Sequence, residues 1–434
     1  MKKSILFVGQ CFYNNWYLSR ELRKLGWKAD VLNIDPNLDN REKFYHGEDY
    51  LFKYDTNIGL LNQLKFFFRA IRKYDVFHFS NAHGMYFVSS FDSHVGAKNK
   101  SRFFSVLYFI CKNILKWNCF LTSYLGLFLL FVFKKNIFRL LGPHLPVRWD
   151  IKLIKKMGKI VTYSNNGCLD GVSQSSFRKW GPYCICDICI WKDTPEVCSD
   201  EKNLKWGAFR NRYADFQILL GGNRTDYNVD TRIHEVPGYY CLDKDFWSPN
   251  LPVPEKYKIN KDNKVLLYHA VGNYDVRTNT KTKENIKSTH IYLPLIERLK
   301  NEGYNVELVF AKDIPNKEVR FLMAQADIVL DMLTYGWFGA NIREGMMLGK
   351  PCVCFLRKEW MDQAKQEIPD YVDELPVVNA NPETIYSVLT DLITNKDKRD
   401  KIGLASRAFA VKWHSSEYGA KEVDEVFTDK FGLR

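Results

Sequence analysis

A chain of 434 residues, 46% hydrophobic and 26% charged, can build two cores of about 200 residues each and is too apolar to be disordered as a whole. Its 63 lysines and arginines outnumber 50 acidic residues, a net charge of +13 that points to an anionic partner: nucleic acid, anionic lipid or a phosphorylated substrate. The apolar run after Met1-Lys2-Lys3 is too short for a secretory segment, so a cytosolic setting is expected, with the eleven cysteines mostly reduced and a metal site favoured over disulfides.

SILFVG (4–9) reads as a buried first strand. An amphipathic helix (16–25) follows, ended by Gly26, and then a second strand, ADVLNI (29–34). Helix 60–73 leads into the strand YDVFHF (74–79). KIVTY (159–163) and FQILL (216–220) continue the series. The alternation restarts at KVLLY (264–268) and runs through helix 290–302, strand VELVF (306–310), helix 316–325, strand 328–330, helix 342–348 and strand 352–356. Short apolar runs separated by helices specify parallel sheets covered on both faces. Trp247–Glu255 holds three prolines in nine residues and reads as a stiff linker. The fold class is therefore α/β: two doubly wound Rossmann-like domains, 1–246 and 264–434, joined by a linker at 247–263. The charged helix from about Lys412 is placed to pack back on the first domain. In such sheets ligands bind past the carboxyl ends of the strands, here in the cleft between the domains.

The positive charge is concentrated. No acid stands between Asp92 and Asp150, whereas Lys98, Lys100, Arg102, Lys112, Lys116, Lys134, Lys135, Arg139 and Arg148 do. Inside this stretch, Trp117 to Phe133 is an uncharged run of 17 residues, the lower edge of what a helix needs to cross a bilayer. With lysines on both flanks, a basic, apolar helical insertion at 95–149 lying on an anionic membrane surface fits best; buried core helices and a true span are the alternatives. The basic residues sit among Leu, Phe and Ile, and no zinc-finger, helix-turn-helix or RNP signature appears, so nucleic acid is set aside as a partner.

The first strand is followed by GQCFYNN and not by G-x-G-x-x-G, and neither a Walker A loop nor H-E-x-x-H is present. The chemistry-bearing segment is in the second half: ADIVLD (326–331), then GWFGANIREGMMLGKP (336–351). A strand ends at Leu330, a glycine-bearing loop covers 336–339, and a helix starts near Ala340 and stops at Gly349-Lys350-Pro351. Such a loop offers unpaired N–H groups and a positive dipole end to a phosphate, and Glu344, one turn inside, can accept hydrogen bonds from sugar hydroxyls.

From 264 to about 430 the sequence resembles the GT-B glycosyltransferases, specifically glycosyltransferase family 4 and its relatives, where a glycine loop precedes E-A-M-A-x-G-K-P-V-V. Leu267-Tyr-His-Ala-Val-Gly-Asn273 and Ile286-Lys-Ser-Thr289 are similar to the same family's C-terminal domain. The resemblance implies a nucleoside-diphosphate sugar donor held by Arg277, Lys287, Gly336, Phe338, Gly339, Ala340, Asn341 and Glu344. Glu344 matches the second glutamate of the family's E-x7-E pair, which holds the nucleotide ribose. Lys287 matches a basic residue that neutralises the diphosphate, with Arg277 as a second cation. The first glutamate of the pair is replaced by Gly336, which leaves the contact to the transferred sugar open. The family retains anomeric configuration without a protein nucleophile and usually without a divalent metal, so no catalytic cofactor is expected; Asp243-Lys-Asp245 matches D-x-D only as text and reads as a turn.

The N-terminal half is expected to bind the acceptor, a lipid-linked or cell-surface glycan at the inner membrane face. His83 in NAHG, just past a strand's carboxyl end, is the catalytic candidate alongside Glu344, whereas His78 inside the strand reads as a core histidine. Asn165-Asn166-Gly167 and Gly221–Asp226 are loops at the cleft end. Within 164–200, Cys186-Asp-Ile-Cys189 has zinc-knuckle spacing, and Cys198 with Cys168 or Cys184 completes four ligands; structural zinc through Cys168, Cys186, Cys189 and Cys198 is expected, free thiols being the alternative. The rival functions are an inactive scaffold, suggested by Gly336, a GT-B transferase of a non-sugar group, and a thiol or metal enzyme centred on the cysteines.

Overall fold

The structure, a computed structural model, describes all residues except 11, 36–37, 53–56, 81–83, 86–147, 166, 169–170, 196 and 223. His83, Asn166 and nearly all of the 95–149 insertion, including 117–133, lie outside the described residues. Among those described, no helix is long and apolar enough to cross a membrane.

The first half folds around seven strands: β1 (Ser4–Val8), β2 (Lys28–Asn33), β3 (Tyr50–Leu51), β4 (Val76–Phe79), β5 (Ile160–Ser164), β6 (Phe216–Leu219) and β7 (Ile233–Glu235). Their order is β3-β2-β1-β4-β5-β6-β7, and every pairing is parallel. Every residue of β1, β4, β5 and β6 is buried, as their near-continuous apolar runs require of strands covered on both faces. The second half has β8 (Val265–Val271), β9 (Val306–Lys312), β10 (Ile328–Leu330), β11 (Cys352–Cys354) and β12 (Val378–Asn379), in the order β12-β11-β10-β8-β9, again parallel. The strand order reverses between β1 and β4 and between β8 and β10. Loops at those two points open toward each other, the position where doubly wound sheets bind ligands.

Several elements absent from the sequence reading are short or unpatterned. β3, β7 and β12 are edge strands of two or three residues. The helix Asp200–Tyr213 buries Asn203, Trp206, Gly207 and Arg210, a mostly polar face with no apolar period to read; the Ser199 hydroxyl caps it by accepting from the Lys202 amide. The proline stretch is anchored at its start. Trp247 is completely buried and packs its ring 6.0 Å from that of Tyr13, so the segment leaves a fixed seam between the halves.

The last two helices tie the halves together. Ser415, extended at ψ 147°, breaks the helix Lys396–His414 from the helix Ser416–Phe431 and caps the second through its hydroxyl. At the break the backbone pairs with Leu242: the Leu242 amide donates to His414 O and the Ser416 amide to Leu242 O. The final helix then lies on the first domain. Asp424 accepts from Lys3 Nζ at 2.6 Å and Trp27 Nε1 at 2.7 Å, and Glu422 accepts from the Gly238 amide at 2.7 Å. The backbones meet at Gly238 and Gly419, where a Cβ on Gly419 would stand 2.1 Å from Gly238 O.

That contact makes opposite demands on one residue. Helix propensity alone favours Ala over Gly by about 1 kcal/mol, yet forcing a methyl into a closed contact costs about 1–3 kcal/mol. Gly419→Ala is therefore expected to lower the unfolding temperature by several degrees; equal or greater stability would show that the final helix is not seated there.

Candidate functional site

β10 ends at Leu330, and the chain crosses to the helix Ala340–Met347 through a loop that begins at Gly336. Gly336 has φ +103°, a conformation that glycine reaches without strain. Its backbone pairs with the segment after β11, where the Arg357 amide donates to Gly336 O at 2.8 Å. Trp337 and Phe338 stack on each other, with centroids 5.1 Å apart, and are buried. They anchor the loop so that Gly339 becomes the cap of the helix. No side chain caps this end, and the space about Gly339 is open to 4 Å, so the amides near Ala340 and Asn341 face it unblocked. Asn341 turns its amide back to Leu330 O at 3.4 Å. The glycine stop is formed as the sequence indicates, with Gly349 at φ +70° and the Lys350 amide bonded to Gly345 O. Gly345 itself is required by packing, since a Cβ there would meet Cys352 Sγ at 2.7 Å.

Glu344 is 3% exposed and lies on the seam between the domains. Its Oε1 accepts from Tyr13 Oη at 2.8 Å, from the loop after β1, and from Asn316 Nδ2 at 2.9 Å, from the helix after β9. Asn316 Oδ1 accepts in turn from His46 Nε2 at 2.7 Å, and Tyr17 Oη lies 2.5 Å from His46 Nδ1, which fixes the ring as the Nε2–H tautomer. Burial pushes the His46 pKa down to about 4, so the ring is neutral. Burial also raises the Glu344 carboxyl above its ordinary range, against the lowering effect of its two donors. Tyr13, Asn316 and His46 were not found from sequence. Their one signal was position, each at or near the cleft-side end of a strand or in the loop that faces it.

Two cations expected at the diphosphate differ in kind. Lys287 Nζ is 2.7 Å from Asp331 Oδ1, a completely buried carboxylate, so its charge is already balanced. Arg277, half-buried beyond β8, has no carboxylate within 4 Å among the described residues, and desolvation lowers its pKa. A third guanidinium, Arg357, sits against Gly336.

In the first domain His78 is fully buried between Thr162 Oγ1 and Tyr239 Oη, both at 2.9 Å, and burial brings its pKa to about 3, in keeping with a core histidine. Tyr239 Oη also meets Ser80, Ser164 and Asn15, a polar cluster that fixes the floor of the cleft at the ends of β4 and β5. Asp243 caps its own turn through the amides of Asp245 and Phe246, as read. The zinc set is not assembled: among the described residues no three His, Cys, Asp or Glu side chains gather closely enough to hold a metal ion. Cys198 Sγ is engaged by Gln174 and Asn203, while Cys186 pairs with Cys184, a thiol pair in which the shared hydrogen bond draws Cys184 down to about 7 and pushes Cys186 up. Cys168 packs at the edge of the core, and Cys189 ends a four-residue helix. The cysteine segment is seated instead on the second domain, through Phe177 and Trp180 against Trp360 and through Tyr183 O on Arg357.

The raised Glu344 carboxyl gives a pH signature. A pKa higher in the folded chain than in the unfolded one means that the associated stability is full below about 4.3 and is lost as pH rises through the native value. Glu344→Gln keeps an oxygen for both donors and removes the titration. The unfolding temperature of the variant minus that of wild type should therefore rise from pH 5 to pH 8. A difference independent of pH would contradict the burial of an ionisable Glu344.

No protein-family model matches the sequence, and no curated protein matches it. Solved structures do. Sucrose-phosphate synthase from Thermosynechococcus elongatus superposes with a TM-score of 0.53 at 11% identity, covering 99% of each chain. HepE from Anabaena, in complex with UDP and glucose, gives 0.52 at 12% identity, covering 98% of this chain and 99% of its own. A glycosyltransferase from Rickettsia africae gives 0.51 at 12%, covering 99% and 98%. With two parallel sheets facing one seam and end-to-end coverage by these structures, the chain has the GT-B fold.

Proposed function

We propose that this chain is a glycosyltransferase that moves a sugar from a nucleoside diphosphate to a lipid-linked or glycan acceptor, with retention of configuration, at the inner face of the cell membrane. The observation that carries the reading is the uncapped end of the helix Ala340–Met347 with Glu344 one turn inside it, on the seam of a GT-B fold. HepE has been solved with UDP-glucose, and this supports a nucleotide sugar as the donor here. In the proposed complex the amides near Ala340 and Asn341, with Arg277, take the diphosphate, and Glu344 accepts from the ribose hydroxyls. Charge building on the departing diphosphate oxygen is met by donors already in place, each commonly worth about 3–4 kcal/mol of barrier. Lys287, held by Asp331, adds field more than contact. His83 is assigned to the sugar and acceptor on its place in the sequence past the end of β4, and the basic apolar stretch 95–149 supports docking on an anionic membrane surface.

Thermal unfolding of wild type and Glu344→Ala against UDP, GDP, CDP, ADP and dTDP tests this. One nucleotide at about 100 times Kd should stabilise wild type by about 2.7 kcal/mol and leave the variant unmoved. A flat panel for both chains would favour the inactive scaffold.

A further inference from the structure

Arg357 is a buried cation of the second domain, as is Arg343 on the helix Ala340–Met347. Arg357 is 4% exposed, no carboxylate lies within 4 Å among the described residues, and its Nε has no hydrogen-bond partner. Its guanidinium makes one hydrogen bond, from Nη2 to Tyr183 O at 2.9 Å. The acid beside it in sequence, Glu359, is exposed and forms no ion pair. Buried guanidinium groups ordinarily meet a carboxylate or phosphate, as Arg224 does with Glu235 and Glu367. Burial pushes the Arg357 pKa down, against the raising effect of Glu359 and Cys184.

Its setting is that of an anion site. Arg357 precedes the ten-residue helix Lys358–Glu367, whose N-terminus has no side-chain cap. Its amide is bonded to Gly336 O, and its side chain lies over Gly336 so closely that a Cβ there would meet Arg357 Cβ and Nε, both at 2.9 Å. Gly336 and Arg357 are thus one arrangement: with the arginine in place, no carboxylate side chain fits at 336. A hydrogen-bond acceptor has been exchanged for a donor at the loop that leads to the phosphate-facing amides. Trp360, Tyr335 and Trp180 form an aromatic cluster beside it, with Trp360 buried at its centre 5.3 Å from each of the other two rings.

We infer that Arg357 is a specificity-determining residue that reads a carboxylate on the transferred sugar, so that the donor is a nucleoside-diphosphate hexuronate and not a neutral hexose. This rests on the donor-site reading above. Arg357 touches Gly336, at the start of the loop whose far end carries the amides assigned above to the diphosphate. The hexuronate carboxylate takes the guanidinium on the side away from Gly336, and the N-terminus of the helix Lys358–Glu367 adds its dipole.

Calorimetric titration of the full chain with UDP-glucuronate, UDP-glucose, GDP-mannuronate, GDP-mannose and the free diphosphates tests this, in wild type, Arg357→Gln and Arg357→Lys. For the base that binds, wild type should hold the uronate at least tenfold more tightly than the hexose. Arg357→Gln should bring that ratio close to one, and Arg357→Lys should keep part of it. A ratio within one variant is insensitive to any loss of folded protein, so pinning of the Tyr183 segment does not mimic the result. A wild-type ratio of one or less overturns the inference, as does an equal loss for uronate, hexose and free diphosphate in Arg357→Gln, which would place the arginine on the diphosphate. Absence of binding by every free diphosphate overturns the donor site itself.

Discussion

A carboxylate buried between two domains can exist only if both supply its hydrogen bonds. Glu344 meets that condition with Tyr13 from one side and Asn316 from the other, and His46 and Tyr17 extend the first domain's hold on Asn316. The relative placement of the halves follows from this. Moving the first domain by a few ångströms would leave Glu344 with one donor and His46 with none of its partners across the seam, a cost of about 1–3 kcal/mol for each orphaned buried group. Trp247 fills the space beside Tyr13 with apolar surface, so the same seam is closed to water where it is not hydrogen-bonded.

Around that point each domain is rigid for its own reason. In the first, Tyr239 gathers His78, Ser80, Ser164 and Asn15 into a satisfied polar cluster under the cleft, and a neutral His78 keeps it free of charge. In the second, the glycine loop is clamped by stacked Trp337 and Phe338 and by pairing to the segment after β11. Among the described residues near the loop, Arg343 and Arg357 are buried without an ion pair, while Lys287 is matched by Asp331.

The fold was legible because parallel strands buried on both faces are written as apolar runs, and each long one falls within about two residues of its expected place. The edge strands β3, β7 and β12 were not, since two or three residues carry no period, and the helix Asp200–Tyr213 was hidden because its buried face is built from Asn, Gly and Arg. The site divided along the same line. Gly336, Gly339 and Glu344 lie on one continuous motif and could be read together, whereas Tyr13, His46, Asn316 and Arg357 come from four separate segments that only the folded sheets bring near. The cysteine spacing meets the same limit. Spacing within a loop gives candidate ligands but not their direction, and here Cys198 points to Gln174 and Asn203 while Cys186 points to Cys184.

The Gly238–Gly419 contact and the bonds of Asp424 to Lys3 and Trp27 place the last helix within the first domain's structure. A ribosome delivers the sheet β1–β7 long before that helix exists. During synthesis, the surface formed by the helix Asn14–Lys24 and the 237–239 turn must therefore stay uncovered until the whole second domain has emerged. Completion of the first-made half thus waits on synthesis of the second, and a chain stalled anywhere in the second half presents that bare surface to chaperones and proteases.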